Sequence, residues 1–165
     1  MRKLLIFAAA AVMLAACHPK AAAGPDLSAQ SKAFMAEVVK QPGIRVLPSG
    51  VAYKIVRNGP ANGLRPQMQD EVKVHYEGKL ASGRVFDSSY QRGQPAAMPL
   101  KGLIPAWQEA LQLMRPGDEW ILYVPPDKGY GAEGAGDGEI PPNAALIFQI
   151  ELIDVLPGPG HIMRG

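Results

Sequence analysis

The sequence predicts an α+β fold: four or five antiparallel strands with one short internal helix on one face of the sheet. Three observations carry this. Residues 70–80 alternate, with Val72, Val74 and Tyr76 on one side and Lys73, His75 and Glu77 on the other, which is the period of a strand with one buried face. Trp107, Ala110, Leu111 and Met114 recur at offsets 0, 3, 4 and 7, one face of a helix. The 16 prolines and 18 glycines among 165 residues fall between the apolar runs and at both ends, where they read as turns and linkers.

The first residues stand apart from the fold. Arg2 and Lys3 precede an apolar run, Leu4 to Leu14, that is too short to span a bilayer. It ends in Leu14-Ala15-Ala16-Cys17, which resembles the lipobox of bacterial lipoproteins. That resemblance implies a signal peptide over 1–16, cleavage before Cys17, lipidation of the Cys17 sulfur and acylation of the new amine. The alternative is a plain signal peptide that leaves a free thiol. Cys17 is the only cysteine, so the domain is stabilised by its core without disulfides. Removing 1–16 takes Arg2 and Lys3 from the 17 basic residues and none of the 15 acids, leaving 15 of each. A neutral, mixed chain points away from nucleic acid.

Residues 17–27 read as a tether. Ser28 to Lys40 is a helix candidate, capped by Ser28 or Ser31 and striped by Phe34, Val38 and Met35, which Pro42-Gly43 ends. This 28–44 segment either packs on its own domain or supports a weak dimer. Val51 to Val56, Asp70 to Leu80, Arg84 to Asp87, Glu119 to Pro125 and Ala145 to Leu156 read as strands. Pro105 opens the internal helix, where its missing N–H does no harm, and Arg115-Pro116-Gly117-Asp118 stops it. Pro126 to Pro142 is a long Gly/Pro loop carrying Tyr130, and 157–165 reads as a disordered tail.

Asp87 lies next to Phe86, and Leu103, Ile104 and Trp107 follow at the helix start. This fits an apolar binding pocket between helix and sheet, or a hairpin feeding an ordinary core helix. The three histidines are scattered, and no spacing offers a metal site. Ser88 and Ser89 have no nearby histidine signal, no Gly-x-Ser-x-Gly occurs, and Gly129-Tyr130-Gly131 lacks the Gly-Lys-Ser/Thr of a phosphate loop. No cofactor is expected.

Several motifs lie in order. They are Val74-His75-Tyr76, Gly83-x-x-Phe86-Asp87-Ser88-Ser89, Leu103-Ile104-Pro105-x-Trp107, Gly129-Tyr130-Gly131, Ile140-Pro141-Pro142-Asn143-Ala144 and Leu146-Ile147-Phe148. Across Ser49 to Leu156 the chain resembles the FKBP-type peptidyl-prolyl cis-trans isomerases. Pro48-Ser49-Gly50-Val51-x-Tyr53 and Phe86-Asp87-Ser88-Ser89-Tyr90-x-Arg92-Gly93 resemble their bacterial envelope branch, the macrophage infectivity potentiator proteins. The resemblance implies a twisted, half-barrel-like antiparallel sheet of about five strands wrapped on the helix, over a domain at 45–156. It implies a proline pocket of Tyr76, Phe86, Ile104, Trp107, Tyr130 and Phe148, with Trp107 as floor and Leu103 and Ile140 as rim. Ile104 N–H and the Tyr130 hydroxyl would bond substrate carbonyls. Asp87 would face the twisting amide, held by Tyr76 and Arg92. Asp87, Tyr130 and Tyr76 are the catalytic candidates. Phe86, Arg92, Met98, Leu103, Ile104, Trp107, Ile140 and Phe148 are the substrate-binding ones.

Ala96 and Met98 replace bulkier aromatics, Gly102 a contact-making side chain, and Glu139 an aliphatic; the loop Ala132 to Glu139 is one residue longer. These departures bear on substrate preference and macrolide affinity more than on activity. The expected protein is a lipid-anchored isomerase of the bacterial envelope, monomeric or weakly dimeric. His18 after Cys17 is not the Asp of the usual inner-membrane retention signal, which points to the outer membrane, facing the periplasm. Its partners would be unfolded or flexible proline-containing segments and macrolides such as rapamycin. The alternative is a chaperone or scaffold that binds proline segments, with incidental turnover.

Overall fold

A computed structural model describes residues 25–160. The expected signal peptide, Cys17, most of the tether and the last five residues lie outside the described residues. Two helices, α1 (Ser28–Val38) and α2 (Pro105–Leu111), accompany seven strands. The strands are β1 (Arg45–Val46), β2 (Ala52–Arg57), β3 (Glu71–Leu80), β4 (Val85–Ser88), β5 (Ala96–Pro99), β6 (Glu119–Val124) and β7 (Leu146–Leu156). They form one antiparallel sheet in the order β1-β2-β6-β7-β3-β4, with β5 also paired to β3.

The α+β class and five of the seven strands, β2, β3, β4, β6 and β7, match the sequence expectation. The two additional strands are β1, only two residues long, and β5, Ala-Ala-Met-Pro. Neither carries the β-branched alternation that marks a strand. The alternation of β3 is real: Val72 and Val74 are fully buried, Tyr76 nearly so, and Lys73 is exposed.

The core lies between the sheet and α2. Ala106, Trp107, Ala110 and Leu111 pack with Val72, Val74, Leu122, Val124 and Ile150. Met114 shares this core from beyond the helix, which ends at Leu111; a turn, Met114 N–H to Leu111 C=O at 3.1 Å, brings it in.

Helix α1 packs on its own domain, on the sheet face away from α2, where Phe34 tilts against Tyr123 at 6.3 Å and Val38 is buried. Neither expected serine caps it. Leu27 holds the cap position, and the Asp26 carboxylate accepts the Ser28 N–H at 2.9 Å. Ser31 is buried and bonded elsewhere. Just after β7, Gly158 N–H donates to Asp70 Oδ1 at 2.9 Å; the last five residues of the expected tail lie outside the described residues. A Cβ at Gly158 would come within 1.8 Å of the Gln69 carbonyl oxygen, so only glycine allows this close approach.

The long loop after β6 is ordered by its own backbone. Ala135 and Ile140 exchange two N–H···O=C bonds of 3.0 Å, and Gly131 N–H donates to the Pro126 carbonyl at 2.8 Å.

Candidate functional site

A cavity of about 180 Å³ opens between α2, the core face of β3, β4 and the loop after β6. Tyr76, Phe86, Asp87, Met98, Leu103, Ile104, Trp107, Tyr130 and Phe148 line it, together with Gly102. Pockets for drug-sized ligands run to about 300–1,000 Å³, so this one suits a small ring inserted from a longer chain.

Trp107 forms the floor because α2 begins beneath the pocket. Its ring meets Tyr76 edge-on at 5.1 Å and Phe148 edge-on at 5.3 Å, and Phe148 meets Phe86 edge-on at 5.7 Å. Such T-shaped pairs place a ring's positive edge on its neighbour's negative face. Trp107 Nε1 is buried and has no hydrogen-bond partner among the described residues.

Phe86 and Asp87 are neighbours in a strand, where successive side chains point to opposite faces. Both nevertheless line the cavity. The register explains it: Gly78 pairs with Asp87 and Lys79 with Val85, leaving Phe86 as the extra residue of a bulge. Gly78 also leaves the room the rings need, since a Cβ there would meet Phe86 at 2.7 Å and Phe148 at 2.8 Å.

The carboxylate is held on both oxygens. The Tyr76 hydroxyl donates to Asp87 Oδ2 at 2.5 Å, and Arg92 donates to Oδ1. Arg92 also donates to the Tyr76 hydroxyl at 2.9 Å, with its guanidinium 5.5 Å from the centre of the Tyr76 ring. Partial burial pushes the Asp87 carboxyl upward. The bonds from Tyr76 and Arg92 and the Arg92 charge outweigh it, so Asp87 sits below the ordinary aspartate range. Burial raises Tyr76, and its bond to Asp87 adds to the shift. Burial and then the Asp87 charge raise Tyr130.

Two donors on the cavity wall have no partner among the described residues. Ile104 precedes α2 in extended conformation, so its N–H is outside the helical ladder. The Tyr130 side chain is about one-third exposed and makes no hydrogen bond.

Two expected binding residues do not line the cavity. Ile140 is buried in the core beside Ala135 because its backbone closes the loop bridge. Arg92 stands behind Asp87 in the turn after β4, donating to Oδ1 and to the Tyr76 hydroxyl. Cys17 lies outside the described residues.

Ser89 is a residue that sequence reasoning set aside. The fold places it 2.9 Å from His75 Nδ1, a pairing with no local trace in the sequence. Ser89 is fully buried, so it is no nucleophile; its hydroxyl accepts the Tyr76 N–H at 2.8 Å, clamping the end of β4 to the residue that holds Asp87. Gly78 was equally unmarked, although a glycine inside an alternating strand signals a bulge or a close approach.

These directions predict a flat pH profile. Asp87 is lowered and stays ionised at neutral pH, while Tyr76 and Tyr130 are raised and stay protonated, so no cavity group changes charge between about pH 6 and 8. His75, the one histidine among the described residues, lies on the opposite face of β3. The stability that Asp87 contributes is present above its ordinary pKa and is lost as pH falls through its lowered value. Any catalysis in this cavity should vary less than about twofold over pH 6–8 and be indifferent to EDTA. A bell-shaped profile would reveal a general acid that this geometry lacks.

The fold is an open antiparallel sheet packed on one short helix, with an aromatic-floored, ring-sized cavity flanked by two donors that have no partner among the described residues. Residues 63–153, more than half of the chain, match the FKBP-type peptidyl-prolyl cis-trans isomerase family, and the chain belongs to it. It is 51% identical over 126 residues to the peptidyl-prolyl cis-trans isomerase Mip of Coxiella burnetii, covering 76% of this chain and 54% of that protein. It is 46% identical over 127 residues to the outer membrane protein MIP of Legionella longbeachae, covering 77% and 53%. A crystal structure of a peptidyl-prolyl cis-trans isomerase from Pseudomonas syringae superposes with a TM-score of 0.73 at 38% identity, covering 79% of this chain and 93% of that one. The chain thus spans about half the length of the two named relatives.

Proposed function

We propose that this protein is a peptidyl-prolyl cis-trans isomerase acting on proline in unfolded or flexible protein segments. The observation that carries it is the ring-sized apolar cavity flanked by two unpaired donors, Ile104 N–H and the Tyr130 hydroxyl. Amide rotation costs about 18–20 kcal/mol because resonance must be broken. The two X-Pro isomers are close in energy, and their exchange takes tens to hundreds of seconds. The cavity holds the proline ring on Trp107 and strips water from the preceding carbonyl. Water stabilises the charge-separated planar amide, so its removal favours the twisted form. Ile104 and Tyr130 bond the flanking carbonyls and fix the chain while one carbonyl swings. Asp87 supplies a fixed negative charge at the wall. With both oxygens occupied it is a poor proton acceptor, and rotation needs no proton transfer. Each ~1.4 kcal/mol of preference for the twisted state gives about tenfold in rate.

The test is a proline-isomerisation assay with and without rapamycin, which the same cavity would hold. Tyr130→Phe should lower kcat/KM by roughly threefold to tenfold, the worth of one hydrogen bond of about 0.5–1.5 kcal/mol, with little change in melting temperature. A large fall in melting temperature would make the tyrosine structural and remove it from the pocket.

The protein is also proposed to be a lipoprotein of the bacterial envelope, anchored through Cys17. The lipobox-like sequence supports this, as does the outer-membrane name of the Legionella relative. Stable anchoring takes more than one acyl chain, which this modification supplies. Cys17→Ser should leave uncleaved precursor or soluble protein without acyl label. Equal labelling of the variant with radioactive palmitate would contradict the anchor.

A further inference from the structure

Helix α1 lies outside the residues that match the family, yet its hydrogen bonds run to the loop that carries Tyr130. Ser31 is 2% exposed. Its hydroxyl donates to the Asn143 carbonyl at 2.6 Å and accepts the Ala145 N–H at 2.7 Å. Just before the helix, Leu27 N–H donates to the Pro142 carbonyl at 3.0 Å, and the Asp26 carboxylate accepts Asn143 Nδ2–H at 3.1 Å. Residues 26–31 therefore grip 142–145 at four points. Asn143 passes that grip on: its N–H donates to the Gly131 carbonyl at 2.8 Å, one residue from Tyr130. Asn143 has a φ of 56°, in the left-handed region, which asparagine adopts more readily than other side-chain-bearing residues. Since the Tyr130 side chain makes no hydrogen bond of its own, the loop backbone is what aims its hydroxyl.

We propose that Ser31 is a positioning residue for the pocket. Through Asn143 and Gly131 it fixes the base of the Tyr130 loop, so α1 is a working part of the site as well as the segment that leads to it. The effect on turnover rests on the isomerase function proposed above. A buried hydroxyl that donates and accepts at once leaves two backbone groups unpaired when removed. The relief available is a shift of 142–145, which carries Gly131 with it. Apparent affinity then falls with the fraction of molecules whose loop is in place.

The test uses the full-length protein. Ser31→Ala should lower kcat/KM about threefold to tenfold, chiefly through KM. In a Tyr130→Phe background the same change should cost less than about twofold, because the contact it serves is already gone. Losses that multiply across the two backgrounds would overturn the proposal. Hydrogen exchange provides a readout without substrate. Ser31→Ala should speed exchange at the Gly131, Gly134 and Asn143 amides and leave the amides of β3 and β7 unchanged. An unchanged loop, or an increase spread over the whole sheet, would also overturn it. Should Ser31→Ala fail to fold, Asp26→Ala removes the exposed contact to Asn143 together with the bonds to Ser28 at the start of α1; it should speed exchange at the same loop amides, and no change there would count against the proposal. A wild-type protein without isomerase activity would sink the proposed function, and the exchange measurement would still decide whether α1 holds the loop.

Discussion

Trp107→Ala should lower the melting temperature by about 10–25 °C and abolish most isomerase activity in the molecules that remain folded. The side chain is 4% exposed and packs edge-on against Tyr76 and Phe148. Truncating a buried tryptophan costs about 3–5 kcal/mol through lost transfer energy and the cavity left behind. In a domain of this size each kcal/mol shifts the midpoint by roughly 3–5 °C. Activity is lost separately, because Tyr76 leans on the indole and Tyr76 holds Asp87; removing the floor loosens both. Trp107→Leu separates the two effects. It fills much of the void, so most stability should return, while the flat floor does not, and rapamycin affinity should stay low. Thermal melting and isomerisation of both variants decide the matter. A Trp107→Ala protein that melts and turns over normally would leave the residue as neither floor nor core, and the proposed site would fall with it.

Gly78→Ala should be nearly as harmful to activity and milder to the fold. Gly78 does not adopt a positive φ, so alanine fits the backbone and only space opposes it. The added Cβ would lie 2.7 Å from Phe86 and 2.8 Å from Phe148, closer than carbon atoms approach. Both rings line the cavity, and Phe148 is buried, so the rings must yield together. Overpacking of this kind costs about 1–3 kcal/mol. The rings have one open side, the cavity, and their movement into it should lower kcat/KM about tenfold or more. Gly78→Ala combined with Phe86→Leu, which gives back the space, should recover part of the loss. Wild-type turnover in Gly78→Ala would show that the Phe86–Phe148 contact does not shape the pocket.

Some of the site was legible in the chain and some was not, and the difference follows sequence separation. The Tyr76 face of β3, Phe86 beside Asp87, and Leu103-Ile104-Pro105-x-Trp107 each lie within one element, where periodicity or a helix start marks them. The partnerships that complete the site cross between elements. Arg92 to the Tyr76 hydroxyl and Ser89 to the Tyr76 N–H depend on how β4 and the following turn fold back on β3. Ile140 shows the converse: its motif suggested a rim position, and closure of the loop at Ala135 directs it inward.

By itself the sequence determined the class of fold, the long strands and the buried face of α2, which follow from local periodicity that a chain carries wherever it goes; the membership of the cavity wall came from the resemblance of its motifs to a known family. Tertiary structure alone decided that Phe86 and Asp87 share a side, because a one-residue bulge against Gly78 is a matter of register between two strands. It decided that Ser31 turns inward to Asn143, where a local pattern read it as a cap. It also decided that Asp87 is saturated on both oxygens, which makes it a fixed charge where the residue type alone would allow a base. Each of these depends on which backbone group lies opposite which, and that is set only when the sheet closes and a polar group cut off from water must find a partner.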